Sequence, residues 1–182
     1  RDYIEEVKHL IKKVFNIDKV LEMHHKVNNG TSVVVCSTEL CRIFEQFGKS
    51  ANSKIIPQWM MIEDPEKQKE LIKSYFFGDG NYYKKQVSSG LKEVLRINSV
   101  SEKLIIQCRD ILLRLGIVSF INKKDRSKEE RQTMYTLGIT GEWMIKFGDL
   151  VEINIETKLN NKKRATMFNI NEDFAFYPIK EM

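Results

Sequence analysis

An apolar helix pattern recurs in this chain at a fixed displacement, and that recurrence narrows the possible folds more than any other feature. Tyr3, Ile4, Val7, Leu10, Ile11 and Val14 follow the three- and four-residue spacing that gathers side chains on one helix face. Leu104, Ile105, Cys108, Ile111, Leu112 and Leu115 repeat it, position for position, 101 residues later. The second helix opens at Ser101, whose hydroxyl suits an N-cap, and closes at Gly116. The segments after the two helices also correspond. Residues 18–27 and 117–124 predict strands, and 31–37 and 133–139, rich in Val, Tyr, Thr, Leu and Ile, predict their partners. The first hairpin turns at Asn28-Asn29-Gly30, whereas the second carries the charged excursion Asp125–Arg131, too polar to pack inside. Each copy then has a further helix. Leu40, Ile43, Phe44 and Phe47 mark the first, ending at Gly48; Trp143, Met144 and Phe147 mark the second, ending near Gly148.

Ahead of its repeated helix the second copy has two more strand segments, 82–88 and 91–98, preceded by a helix over 66–78. The module therefore reads helix, strand, strand, helix, strand, strand, helix, and the first copy begins at the second of these helices. Half a module would leave an unpaired strand edge and an uncovered apolar face, so further residues are expected upstream of Arg1. The predicted class is α+β, made of duplicated α-β-β-α-β-β-α modules with the first incomplete. Residues 1–65 end the first module, 66–165 form the second, and 166–182 form a C-terminal strand or return linker.

Composition bounds the function. The 182 residues are 42% hydrophobic with no long apolar run, enough for a sizeable core but not for a membrane span. A formal charge of +5 suits a polyanionic partner. Cys36, Cys41 and Cys108 form no CxxC pair and lie in apolar periodic segments, which predicts buried thiols in a reducing compartment.

The helix at 66–78 leads into the residues richest in chemistry. Ser74 and Gly78, four apart, thin one helix face so that another helix backbone can approach. Gly80 permits the positive φ suited to leaving a helix, and it fixes Asp79 at the C-terminal end, where the helix dipole disfavours a carboxylate. A divalent cation would compensate, because hard oxygen ligands suit magnesium, which polarises phosphate and activates water. Gly78-Asp79-Gly80-Asn81 is also legible as an ordinary polar turn.

Three stretches carry a resemblance to a known family. Leu71-Ile72-Lys73-Ser74-Tyr75-Phe76-Phe77-Gly78-Asp79-Gly80 combines the small positions with a terminal Asp-Gly; Lys54-Ile55-Ile56-Pro57-Gln58-Trp59 holds a Lys-x-Ile-Pro segment; and Ser101–Gly116 is a helix ending in Leu115-Gly116-Ile117. Together they resemble the LAGLIDADG, or dodecapeptide, homing endonucleases, and among them the domains lodged in inteins. The resemblance implies a DNA-binding saddle in which two motif helices pack at a pseudo-two-fold axis, each presenting an acid to one DNA strand. It implies site-specific hydrolysis of double-stranded DNA with Mg2+, or Mn2+, by a monomer of two modules in the cytoplasm beside the nucleoid, with a splicing domain possible in the same chain. Asp79 would be the catalytic, metal-binding acid, and Lys54 would assist the attacking water or neutralise charge on the phosphate. An isolated lysine is equally an ordinary surface residue. Lys158, 104 positions beyond Lys54, is the candidate for the matching half, with Lys162, Lys163 and Arg164 as alternatives. Ser74 and Gly78 would form the helix interface. Phe174–Glu181 resembles the strand by which an intein chain returns to its splicing domain. A degenerate or maturase-like relative would keep the saddle and basic face without cutting, and a free-standing or intron-encoded enzyme is a further alternative.

Alternation along strands supplies candidate DNA contacts. Lys84, Gln86 and Ser88 share one parity, Lys92 lies near the turn, and Arg96 and Asn98 share a face opposite Leu95 and Ile97. In the first copy His24 and Lys26 alternate with Met23 and Val27. Lys123 and Lys124 begin a basic loop suited to phosphate. Any half-exposed antiparallel sheet alternates in this way too. Trp59 and Trp143 lie among apolar residues and read as core.

Overall fold

The computed structural model describes residues 3–27, 30–88, 90–152, 169–170 and 175–176. In chain order it comprises α1 (Tyr3–Phe15), β1 (Leu21–His24), β2 (Thr31–Val34), α2 (Thr38–Glu45), a 3-10 turn at Ala51–Ser53, and the short α3 (Gln58–Met61). Next come α4 (Pro65–Asp79), β3 (Gly80–Val87), β4 (Gly90–Ser99), α5 (Glu102–Arg114), β5 (Phe120–Lys124), β6 (Met134–Ile139) and α6 (Glu142–Val151). A last two-stranded ladder pairs β7 (Asn169–Ile170) with β8 (Ala175–Phe176). The fold is α+β. The expected return strand at 174–181 lies otherwise outside the described residues.

Strands β3 to β6 form one antiparallel sheet in the order β3-β4-β6-β5, while β1 and β2 pair only with each other. Helices α4, α5 and α6 cover one face of the larger sheet and share a single core. Ile105, Cys108, Ile111 and Leu112 of α5 are at most 1% exposed, against Ile97, Leu137 and Ile139 of the sheet. Phe76 of α4 and Phe147 of α6 meet ring to ring at 4.4 Å. Local chemistry sets the helix limits. Asp64 caps α4 by accepting from the Glu66 amide, with Pro65 in the first helical position, and Ser101 caps α5 through the Leu104 amide. Gly116 leaves α5 at φ +73 and Gly48 comes after α2 at φ +92, conformations that favour glycine.

The order α1-β1-β2-α2 matches α5-β5-β6-α6, but the two groups are packed very differently. No residue of α1 is buried, and its apolar positions Tyr3, Val7, Leu10 and Val14 face solvent. Strands β1 and β2 are shorter than 18–27 and 31–37 predict.

Four further expectations from the sequence are corrected. Gly80 does not adopt positive φ; it is extended at φ −74, and glycine is needed there because a Cβ would overlap the Phe76 carbonyl as α4 runs directly into β3. Gly148 does not end α6 but is buried within it, and Glu152 terminates the helix at φ 60. Trp59 is 47% exposed, its indole N–H donating to Gln46 rather than entering the core. Cys36 and Cys41 are exposed, because the segments that carry them lie outside the core, and Cys108 alone of the three is buried.

Burial pushes the Cys108 thiol up to about 12 and seals it from reagents. Under native conditions near pH 8, a thiol-reactive dye is therefore expected to label Cys36 and Cys41 promptly. Cys108 should react only with the rate of unfolding, and Cys108→Ala should abolish that slow phase.

Candidate functional site

Asp79 is the last residue of α4 and is exposed at the point where the helix becomes the edge strand β3. The Gly80 amide bonds back to the Phe76 carbonyl, so the helix end is closed by backbone alone and the carboxylate points free of the cap. Ser74 and Gly78 are exposed on the same helix, and a Cβ built at Gly78 would meet no atom within 4 Å. The small-residue face is thus open along α4. Beside it lies a cleft of about 400 Å³ lined by Phe47, Lys54, Ile56, Ser74, Tyr75 and Cys108. Burial, with Cys108 and Asp79 nearby, raises the Tyr75 hydroxyl well above its usual range, against a hydrogen bond to Ser99 that acts the other way. Among the described residues no three His, Cys, Asp or Glu side chains gather into a metal cluster.

Lys54 comes directly after the 3-10 turn in an extended conformation, φ −57 and ψ 133. Its carbonyl accepts from the Ser101 hydroxyl at 2.6 Å. The next amide, Ile55 N–H, donates to the Phe47 carbonyl. Ile56 is then bonded at both its backbone groups by the side-chain amide of Gln107. The backbone of Lys54 is therefore fixed at the cleft that Ser74 and Tyr75 also line. Lys158, Lys162, Lys163 and Arg164 lie outside the described residues.

Strand register divides the predicted sheet residues between two faces. Leu95 and Ile97 point to the helices, and their cross-strand partners Tyr82 and Gly80 share that side. Lys84 and Gln86 follow the same parity, as does Lys123 opposite Tyr135, with its ammonium 5.7 Å from that ring. These three residues do not share a face with Arg96 and Asn98. Ser88 lies in the turn beyond β3. On the outer face, away from the helices, stand Lys92, Arg96, Asn98 and Lys124, joined by residues that sequence reasoning missed: Asn81, Tyr83, Lys85, Asn122 and Thr136. Pairing β3 with β4 would have found the first three of these, since Lys85 is opposite Lys92 and Asn81 opposite Arg96. The outer side chains are preset. The Arg96 guanidinium stacks 4.6 Å over Tyr83 and donates to Asn81, and Thr136 donates to Asn98 at 2.6 Å. Phe120 lies across Gly138, where a Cβ would overlap its ring.

Lys84 is engaged elsewhere. Glu93 accepts from the Tyr82 hydroxyl at 2.7 Å and pairs with Lys84 at 3.0 Å. In the β1-β2 hairpin His24 shares a hydrogen bond with Thr31, and Glu22, of the same parity, pairs with Lys8 of α1. Lys26 is exposed in the turn after β1.

The LAGLIDADG-like domain family model matches residues 66–165. A DNA-directed RNA polymerase subunit, Rpo1C of Methanocaldococcus jannaschii, is 27% identical over 153 residues, covering 82% of this chain. The chain spans only 16% of that relative's length. A mesophilic variant of the homing endonuclease I-DmoI has a similar fold, with a TM-score of 0.58 at 18% identity over 82% of this chain and 71% of that one.

The bond to Glu93, then burial and the Glu93 charge, push the Tyr82 hydroxyl up to about 12. Glu93→Gln removes the charged acceptor and is expected to bring Tyr82 down toward about 10, the ordinary tyrosine value. Alkaline titration of tyrosinate absorbance should gain amplitude near that pH, and an unchanged curve would mean that Glu93 does not govern Tyr82.

Proposed function

Because this chain belongs to the LAGLIDADG-like domain family, we propose that it works on double-stranded DNA as a homing-type endonuclease, with the outer sheet face against the duplex and Asp79 at a scissile phosphate. The observation that carries this reading is the placement of Asp79 at the exposed end of α4, beside the open Ser74 and Gly78 face and at the start of the strand that bears Asn81, Tyr83 and Lys85.

Lys85, Lys92, Arg96 and Lys124 supply cations for phosphates, while Asn81, Asn98, Asn122 and Thr136 supply donors and acceptors at groove edges. Arg96, held flat on Tyr83, loses little rotamer freedom on contact. Lys26 and His24 are retained as phosphate contacts of the first copy, and Lys84, Gln86, Ser88 and Lys123 as secondary to the outer face.

One exposed carboxylate fits Mg2+ or Mn2+ as half of a shared site, since magnesium keeps several waters and binds through one or two carboxylates together with substrate phosphates. Such an ion, when bound, supplies polarisation of the phosphate and a more acidic water. Asp79 holds it and orients the phosphate; the Lys54 ammonium offsets charge that develops on the phosphate oxygens. A second motif helix packed on the Ser74 and Gly78 face brings the second acid, with Lys158 in the matching role of Lys54. The module limits at 65 and 165, the pseudo-two-fold pairing of the copies and the cytoplasmic, nucleoid setting belong to the same proposal.

An intein setting is supported by Lys54-Ile55-Ile56-Pro57 and by a relative named for an RNA polymerase subunit of which this chain matches a small share, as expected of a module lodged in a longer host protein. The alternative is a degenerate binder that keeps the face and lacks the cut.

Replacing Asp79 with Asn preserves shape and removes the anionic ligand. In the intact two-motif protein, on a duplex selected by binding, magnesium-dependent cutting is expected to fall by about a hundredfold or more, with calcium-supported binding retained. Cutting at the parental rate would remove Asp79 from the site, and a parental protein that binds without cutting would favour the degenerate binder.

A further inference from the structure

One flank of α5 contacts the backbone of the segment that joins the first copy to α4, along most of its length. Ser101 donates to the carbonyl of Lys54 at 2.6 Å. Gln107 accepts from Ile56 N–H at 2.8 Å and donates to Ile56 C=O at 2.7 Å. Arg114 donates to the carbonyl of Glu63 at 2.8 Å, to that of Met61 at 3.4 Å and to the Gln68 side chain at 3.1 Å. Gln68, 2% exposed on α4, donates in turn to the carbonyls of Met60 and Met61. Gln107 and Arg114, seven residues or two turns apart, share one side of the helix, and Ser101 is its N-cap. They meet the segment in the order of its own residues, so the two run in a fixed register.

A side-chain amide that bonds both the N–H and the C=O of a single residue does what a neighbouring strand would do: it fixes that residue as extended. Ile56 is so held, and its side chain is 4% exposed. Two residues earlier, the Lys54 carbonyl is fixed by Ser101, whose own amide is bonded to Ser99. Ser99 also bonds Tyr75, one helical turn before Asp79. A lysine side chain has four rotatable bonds, so where its ammonium can dwell depends on where its backbone is anchored.

Resting on the roles given above to Lys54 and Asp79, we infer that Gln107 and Ser101 are positioning residues: α5 sets the register of the connecting segment and thereby places Lys54 relative to Asp79. They touch neither substrate nor metal and act through the backbone of the segment.

The test uses the intact two-motif protein with Gln107→Leu and Gln107→Glu. Leucine removes both bonds. Glutamate keeps the shape and the bond from Ile56 N–H, but when ionised it cannot donate to the Ile56 carbonyl. Amide exchange at Ile56 is expected to quicken by about tenfold in Gln107→Leu, the scale of one lost hydrogen bond. Single-turnover cutting should fall by about ten- to a hundredfold with duplex affinity unchanged, the scale of a misplaced reacting group. Gln107→Glu should lose cutting at neutral pH and recover relative to the parent as acidification protonates the carboxyl and restores the donor. A residue that merely supports the fold would lose affinity and thermal stability together with cutting and show no such recovery; that pattern overturns the inference, as does unchanged exchange at Ile56 in Gln107→Leu. If the parent cuts no duplex, the endonuclease reading fails, and the exchange measurement still decides the register by itself.

Discussion

Helix α5 has to satisfy two unlike surfaces at once, and the positions of the other elements depend on that. Its apolar side is sealed against Ile97, Leu137 and Ile139 of the sheet, with Ile105, Cys108 and Leu112 fully buried. Burying such side chains stabilises the packed state by about 1.5–3 kcal/mol each. Its polar flank bonds backbone groups between Lys54 and Glu63 that would otherwise need water. Rotating the helix to improve one side would break the other. The sheet, the connecting segment and α4 are therefore referenced to a single body.

From that body α4 emerges with one face in the core, through Ile72 and Phe76, and another open at Ser74 and Gly78. Its end passes into β3 without a loop, which is possible because Gly80 has no Cβ to collide with the Phe76 carbonyl. A carboxylate on a loop would wander by several ångströms. Asp79 instead inherits the rigidity of both the helix and the sheet edge, and the outer strand face begins two residues later. Asp79 thus ends α4 where the outer sheet face begins, and the fixed backbone of Lys54 lines a cleft shared with Ser74 and Tyr75 of the same helix.

Much of this frame was legible because periodicity and caps agreed. The helical spacing from Leu104 to Leu115 with Ser101 and Gly116 at its ends located α5, and the strand propensities located β3 to β6. The faces of β3 were not legible, for a definite reason: Tyr82-Tyr83-Lys84-Lys85 is a run of doublets, which carries no alternation. Only the register against β4 puts Lys85 with Lys92 outside and Lys84 with Glu93 on the helix side. Glycine was ambiguous as well, since a glycine required for positive φ, as at Gly116, and one required for lack of a Cβ, as at Gly80, are written alike. Cys36, Cys41 and Trp59 looked like core residues because their neighbours are apolar, but Cys36 and Cys41 lie on elements outside the shared core, and Trp59 is exposed although Met60 and Met61 beside it pack against that core. The bonds of Gln107 to Ile56 span 51 residues of sequence and leave no local pattern to read.

Duplex DNA is proposed to lie on the outer face of the four-stranded sheet, and lysines of opposite parity on the same strand pair test that placement directly. Affinity for duplex DNA would be measured over a range of salt concentrations for the parent, for Lys84→Ala and for the double variant Lys85→Ala with Lys92→Ala. Each lost phosphate contact flattens the slope of log affinity against log salt by about one. The double variant should lower it by about two and Lys84→Ala should leave it unchanged. A flattened slope for Lys84→Ala beside a parental slope for the double variant would put DNA on the other side of the sheet and contradict the proposed placement.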